Sequence, residues 1–457
     1  MAGIGFELRK ILKSESYTGL FQAYAYAGII SSGPWILSII GVLVIGLMSL
    51  TVVIPDFLIT QFQVSVTYLI VFSLILTGFL QPAFTRFIAD RLFEKQDTAV
   101  LPNFHGAILV TTVCSGLLGM AVALSLFPQQ SVIYRGLMLS SFVVLSNIWI
   151  ATIFLSGMKE YKAIVRLFGL GYFITVVCAL ALRKLNLEGL LAGFLLGHFV
   201  LLLGMMTLTM RSYPSNTFIS FDFLKKNRMY TSLLWVGFFY NLGIWIDKIV
   251  FWYFPDTSQG IIGPLRASLI YDLPIFLAYL SIIPGMAVFL VRMETDFVEY
   301  YTEYYNAVRE GGSLQHIEEM RDEMVYTVRQ GIFEIVKIQA IAVLITFVAG
   351  PALLRLLGIS QLYLSLLYID VVAAGLQVVF LGLLNVFFYL DKRRIVLFLA
   401  SFFVASNLGF TLLSLHLGAA YYGYGFALSL LLSVLIAIYI LDKKLDVLEY
   451  ETFMLQK

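Results

Sequence analysis

Residues 363–390 read YLSLLYIDVVAAGLQVVFLGLLNVFFYL, and Asp370 is the only charge in that run. A helix crosses the hydrocarbon layer with about 20 apolar residues, so this stretch is long enough to span a bilayer and too apolar to face water. Comparable runs recur at 17–53, 57–85, 107–127, 136–158, 167–182, 189–210, 229–254, 267–291, 331–357, 395–417 and 420–441, which makes about twelve helices. Of 457 residues, 60% are hydrophobic and 13% charged, and the mean hydropathy is +0.90. Water-soluble proteins carry roughly 25% charged residues. This excess of apolar side chains has no water-facing core large enough to hide in, and the fold class read from it is an all-α polytopic membrane protein.

The formal charge is only +2, and the basic residues fall in short clusters between apolar runs. That pattern excludes nucleic acid as a partner. Cys114 and Cys178 both lie inside apolar runs, where they pack as small hydrophobes rather than forming a disulfide framework or a zinc site. Segment 1–16 mixes Glu7 and Glu15 with Arg9, Lys10 and Lys13, and no small-residue cleavage site ends the apolar run after it. No signal peptide is expected, and the N-terminus should be retained.

Lys and Arg settle the orientation, because they are enriched in cytoplasmic loops. With the N-terminus inside, the inner segments hold Arg9, Lys10 and Lys13; Arg86, Arg91 and Lys95; Lys159, Lys162 and Arg166; Arg211, Lys225, Lys226 and Arg228; Arg292, Arg309, Arg321 and Arg329; Lys392, Arg393 and Arg394; and Lys443, Lys444 and Lys457. The outer segments keep only Arg135, Arg183, Lys184, Arg266 and Arg355. Both termini are therefore expected in the cytoplasm.

The polar stretch 211–228 divides the spans six and six. The expected organisation is an amphipathic segment at 1–16, a first lobe at 17–210, a cytoplasmic linker at 211–228, a second lobe at 229–441 and a tail at 442–457. An even number of spans per lobe makes both lobes enter from one side, as in a parallel repeat facing a central cavity. Segment 1–16 alternates Ile4, Phe6, Leu8, Ile11 and Leu12 with charges, which suits a helix lying in the interface or a simple extension of the first span. Between the eighth and ninth spans, 292–330 reads as a cytoplasmic helical hairpin, with Ser313 positioned to cap its second helix. Its acidic residues, among them Glu299, Glu303, Glu318 and Glu319, form either a solvated face or a docking surface for a cytoplasmic partner.

Charges inside spans are costly and mark ion paths, substrate paths or paired structural sites. By a rise of about 1.5 Å per residue, Asp247, Asp272 and Asp370 fall at similar depth, roughly 10 Å below the outer ends of their spans. Lys248 and Arg266 belong to the same layer. Two readings stand: ion pairs that close the second lobe, or an acidic patch that binds a coupling cation or guides a cationic substrate. Asn241, Trp245 and Lys248 share a helix face, with Asp247 about 100° away. Glu334 and Lys337, at i and i+3, suit a local ion pair.

Gly33 and Pro34 in the first span, and Pro274 and Pro284 in the eighth, mark expected kinks or hinges. Trp35 lies deep in its span, where it suits either core packing or stacking on a sugar ring. No Walker motif, no metal-ligand spacing among His105, His198, His316 and His416, and no Asp-x-Asp pair on a cytoplasmic loop is present. Enzymatic activity, a metal centre and any other cofactor are not expected.

The opening MAGIGFELRKIL (1–12) and YAYAGIISSGPW (24–35) resemble the exporter subunits of bacterial Pel exopolysaccharide machinery. The resemblance implies membership of the multidrug/oligosaccharidyl-lipid/polysaccharide (MOP) exporter superfamily, a MATE-like arrangement of two six-helix lobes in the bacterial cytoplasmic membrane, and a role in building biofilm matrix. The implied substrate is a polymer rich in N-acetylgalactosamine and galactosamine. The implied partners are other Pel membrane subunits, a cytoplasmic glycosyltransferase and the lipid bilayer. A partly deacetylated polymer is cationic, which suits an acidic layer of Asp247, Asp272 and Asp370. Two alternatives stay open: a MATE-like small-molecule extruder, and a structural anchor for a polysaccharide synthase.

Overall fold

The computed structural model describes residues 17–49, 53, 55, 57–157, 161–225 and 229–454. The amphipathic segment expected at 1–16 lies outside the described residues, as do the side chains of Pro34 and Trp35; the backbone at Gly33, Pro34 and Trp35 belongs to helix α1, Tyr17–Ser49. Nine helical stretches among the described residues are long and apolar enough to cross a membrane, or ten if one bent pair counts as a span. The chain divides into two compact units. An N-terminal unit comprises Gly33–Trp245 and Phe251–Ser268, and a C-terminal unit comprises Met1–Ser32, Ile246–Val250 and Leu269–Lys457.

In the N-terminal unit, α2 (Phe57–Gly78), α3 (Gln81–Phe93), α4 (Val100–Leu126), α5 (Val132–Gly157), α6 (Tyr161–Leu182) and α7 (Asn186–Ser212) pack side by side. One of the nine apolar stretches, Val165–Ser212, is 48 residues long. A straight helix of that length would reach about 70 Å, more than twice the hydrocarbon thickness. It folds back instead at Arg183–Leu185, where Asn186 takes φ +56°. A Cβ on Gly193 would stand 2.2 Å from the Ala179 nitrogen, one on Gly197 2.5 Å from the Thr175 nitrogen, and one on Gly189 2.0 Å from the Leu182 oxygen. The small residues at i, i+4 and i+8 let two backbones touch, the usual means of helix association where lipid competes with apolar side chains.

The run expected as one span at 57–85 breaks at Gly78. Helix α8 (Thr231–Tyr253) crosses there so closely that a Cβ on Gly237 would stand 2.1 Å from the Gly78 oxygen. Pro82, at the start of α3, suits a fresh helix start. After α8, an antiparallel hairpin of β1 (Gln259–Ile262) and β2 (Leu265–Ala267) turns at Gly263, φ +53°.

The stretch 211–228 is pinned in part. The Asp222 N–H donates to Asn103 Oδ1 at 2.8 Å, Ser220 N–H donates to the Pro102 carbonyl at 2.9 Å, and Phe223 is buried beside Phe84 and Phe87. Gly106 makes room for this strap, since a Cβ there would lie 2.1 Å from the Ser220 oxygen.

In the C-terminal unit, the run expected as one span at 267–291 is two helices, α9 (Leu269–Leu280) and α10 (Ile283–Val291), bent by 42° at the break. Pro284 opens α10, whereas Pro274 sits inside α9 without ending it. Gln339 Nε2 donates to the Ile282 carbonyl at the break, 3.2 Å away, the kind of side-chain repair that an interrupted membrane helix needs. A π-turn at Arg292–Phe297 leads into α11 (Val298–Arg309), and α12 (Leu314–Leu356) returns. With 43 residues, α12 reaches about 65 Å, so its first half extends beyond the hydrocarbon layer and forms a hairpin with α11. Ser313 Oγ accepts from the His316 N–H as its N-cap. Helices α13 (Leu364–Tyr389), α14 (Arg393–Leu417) and α15 (Tyr424–Asp446) complete the bundle. Residues Ala278, Leu354, Leu367 and Val371 form part of its core.

Candidate functional site

Helix α8 delivers Asp247 and Lys248 into the interior of the C-terminal unit, where both are almost fully enclosed. Lys248 Nζ lies 3.1 Å from Asp247 Oδ2 and 3.3 Å from Oδ1. The same ammonium donates to the Tyr279 hydroxyl at 3.2 Å and stands 4.0 Å from the centroid of the Phe426 ring. Asp247 also accepts from the Tyr271 hydroxyl at 2.7 Å and from Asn407 Nδ2 at 3.3 Å. Tyr279 donates onward to Gln377 Oε1 at 3.1 Å, and Thr411 Oγ1 donates to Asn407 Oδ1 at 3.0 Å. Five helices therefore converge on one ion pair, which satisfies the condition for burying charges at all: partners and hydrogen bonds together.

Asp370 differs. Its side chain is completely buried, yet neither carboxyl oxygen has a hydrogen-bond partner among the described residues. It stands on α13 within electrostatic reach of the Lys248–Asp247 pair. Gly423, the N-cap of α15 at φ +85°, leaves it room: a Cβ there would stand 3.1 Å from Asp370 Oδ1. A buried polar group without a partner is rare in folded proteins and calls for a physical reason.

The other residues singled out in the sequence lie elsewhere. Asp272, next to Tyr271, is partly exposed, and the hydrogen bond to Asp247 comes from Tyr271. Arg266, expected among the carboxylates, makes no ion pair among the described residues. Standing on β2, it turns back to α8 and the following turn, donating to the Trp252 carbonyl at 3.2 Å and to Ser258 Oγ at 2.9 Å. A guanidinium at helix-terminal carbonyls is well placed for the helix dipole. Asn241 donates to the Leu74 carbonyl at 3.3 Å, and Trp245 is buried. On α8 the flexible lysine stem carries Lys248 Nζ round to Asp247.

At the other end of the unit, Glu334 pairs with Arg292 rather than with Lys337: Arg292 Nη2 lies 2.9 Å from Glu334 Oε1, and Lys337 is exposed. Glu303, Glu318 and Glu319 project outward from the α11–α12 hairpin, while Glu299 is half-buried. A short helix α16 (Leu448–Met454) clamps the hairpin, with Glu449 on Arg321 at 2.8 Å and Thr452 accepting from Tyr304 at 3.2 Å. Sequence reading missed Tyr271, Tyr279, Gln377 and Asn407. Gln377 and Asn407 carry a signal, each a strongly polar residue midway along an apolar run.

The fold is that of MOP superfamily transporters, multi-pass helical membrane proteins. An outward-facing multidrug resistance MATE family transporter of that superfamily matches with a TM-score of 0.69 at 13% identity, covering 93% of this chain and 96% of that one. An inward-facing one matches at 0.59 and 13%, over 93% and 95%. A MOP superfamily transporter from Pyrococcus furiosus Vc1, described by a binding pocket of reversed polarity, matches at 0.60 and 13%, over 93% and 96%. No curated protein matches in sequence. The chain belongs to the PelG family of exopolysaccharide exporters (EPS-E), which it matches over residues 1–453. Family and fold are those of transporters rather than enzymes.

Proposed function

We propose that this chain exports a galactosamine- and N-acetylgalactosamine-rich polymer across the bacterial cytoplasmic membrane by alternating access, with cation exchange at Asp370 driving the cycle. Twelve crossings, two six-helix lobes and cytoplasmic termini complete the reading. The buried carboxyl of Asp370, without a hydrogen-bond partner among the described residues and within electrostatic reach of the Lys248–Asp247 pair, carries it. Such a group is costly to keep in a membrane interior, and exchange of a coupling charge is the use that explains the cost. Because Asp247, Lys248 and Asp370 lie inside one unit, coupling is favoured over direct contact with the sugar. The outward carboxylates Glu303, Glu318 and Glu319, with Glu299 beside them, are the proposed dock for the glycosyltransferase and the other membrane subunits.

The test is hexosamine polymer measured inside and outside cells carrying Asp370→Asn, with all partner proteins present. Lost secretion with cytoplasmic polymer retained and normal protein level is the expected result. Unchanged secretion refutes the coupling site. Loss of polymer on both sides moves the chain to a scaffold for synthesis. Drug sensitivity with normal polymer moves it to a small-molecule extruder.

A further inference from the structure

The surroundings of Lys248 Nζ are those that a free monovalent cation would receive: both oxygens of Asp247 at 3.1 and 3.3 Å, the Tyr279 hydroxyl oxygen at 3.2 Å, and the face of Phe426 with its centroid at 4.0 Å. A second carboxyl, Asp370 on α13, is completely buried in the same unit and within electrostatic reach of the Lys248–Asp247 pair, with both oxygens lacking hydrogen-bond partners among the described residues. Hard cations are held by sets of oxygens. The two Asp247 oxygens and the Tyr279 hydroxyl supply part of such a set, and the chain has put its own ammonium into it.

We propose that Lys248 is a tethered cation filling the metal-cation position of this site, and that removing its charge turns the site into one for sodium. The proposal rests on reading the network as the coupling site, but it concerns what the site holds rather than what the chain exports. With the ammonium fixed in place, a metal ion would sit against a like charge a few ångströms away in a medium of low dielectric, and it is excluded. The charge that Asp370 exchanges is then a proton. The charged and titratable groups facing Asp370 are Lys248 and Asp247 from α8, with Tyr271 and Tyr279 from α9.

The experiment uses the purified full chain in detergent micelles, with its thermal unfolding midpoint read in sodium chloride against choline chloride at matched ionic strength. Wild type should give the same midpoint in both salts. Lys248→Gln, which leaves two buried carboxyls without their ammonium, should unfold earlier in choline and regain a few degrees as sodium saturates the site. Adding Asp370→Asn to that variant should abolish the sodium response. A saturable sodium response in wild type that Asp370→Asn removes would overturn the proposal. So would Lys248→Gln behaving identically in the two salts, or failing to fold in both, since sodium should replace the missing charge. Because the readout is ion binding, it stands apart from the secretion assay: lost secretion in Asp370→Asn with no sodium response in Lys248→Gln sinks only the tethered cation.

Discussion

Replacing Asp247 with Asn should separate two carboxyls that look alike in the sequence. Asp247 receives Lys248 at 3.1 Å and Tyr271 at 2.7 Å with both partners buried, so Asp247→Asn leaves an ammonium enclosed without its counter-charge. Breaking a buried pair from one side costs about 3–5 kcal/mol, and replacing a charged acceptor by a neutral one at Tyr271 adds about 1 kcal/mol. Asp370→Asn removes a group that accepts no hydrogen bond among the described residues, so its stability should stay within about 1 kcal/mol of wild type or rise. For a chain this long the Asp247 loss corresponds to a midpoint fall of roughly 3–8 °C. The assay is thermal unfolding of the purified protein beside denaturant titration in one detergent. Asp247→Asn with Lys248→Met should recover most of the loss, because an apolar replacement of a whole buried pair is close to neutral. A midpoint for Asp370→Asn that falls as far as that of Asp247→Asn refutes the distinction between a structural pair and a working carboxyl.

Gly106→Ala should push the 217–224 strap off α4, because its Cβ would stand 2.1 Å from the Ser220 oxygen; the expected readout is faster amide exchange at 220–223, and unchanged protection would show that the strap shifts without detaching. Gly285→Ala runs into the Gln339 side chain, 2.0 Å from Nε2 and 2.7 Å from Cγ, so Gln339 must swing away and the change should cost at least about 1 kcal/mol, the value of the Gln339–Ile282 hydrogen bond. A double-mutant cycle with Gln339→Ala should show the two losses overlapping rather than adding. Asp222 is held down to about 2 chiefly by its hydrogen bond from Lys225; burial is the next effect and opposes it, while hydrogen bonds from Ser220 and Asn103 add to the lowering. A carboxyl depressed in the fold contributes stability above its unfolded value of about 4 and loses it as pH falls toward 2. Strap protection should therefore drop between those pH values in wild type but not in Asp222→Asn.

The runs between charges mark most helices because apolar length alone decides what can lie in a bilayer, and no tertiary contact is needed to read it. The turn at Arg183 and Lys184 was legible for the same reason: charges interrupt the apolar run. Asp247, Lys248 and Asp370 stood out as candidates, since a charge in a span is conspicuous wherever it points. Tyr271 and Tyr279 were invisible, because tyrosines in an apolar helix are ordinary core residues until something places a carboxylate beside them. Arg266 misled, since depth along the chain says nothing about the direction in which a long side chain reaches. The break between α9 and α10 was signalled by Pro284, but Gln339, which repairs it, comes from another helix.

Sequence by itself thus determined the membrane class, the approximate bounds of most spans, and which charges had to be explained, all of which depend on one residue's cost in hydrocarbon or on the length of a run. Tertiary structure decided which carboxylate is neutralised and which is left alone. Pairing is a property of five helices meeting at one point, where a lysine stem can bend to its neighbour Asp247 and leave Asp370, far off along the chain, without a hydrogen bond among the described residues.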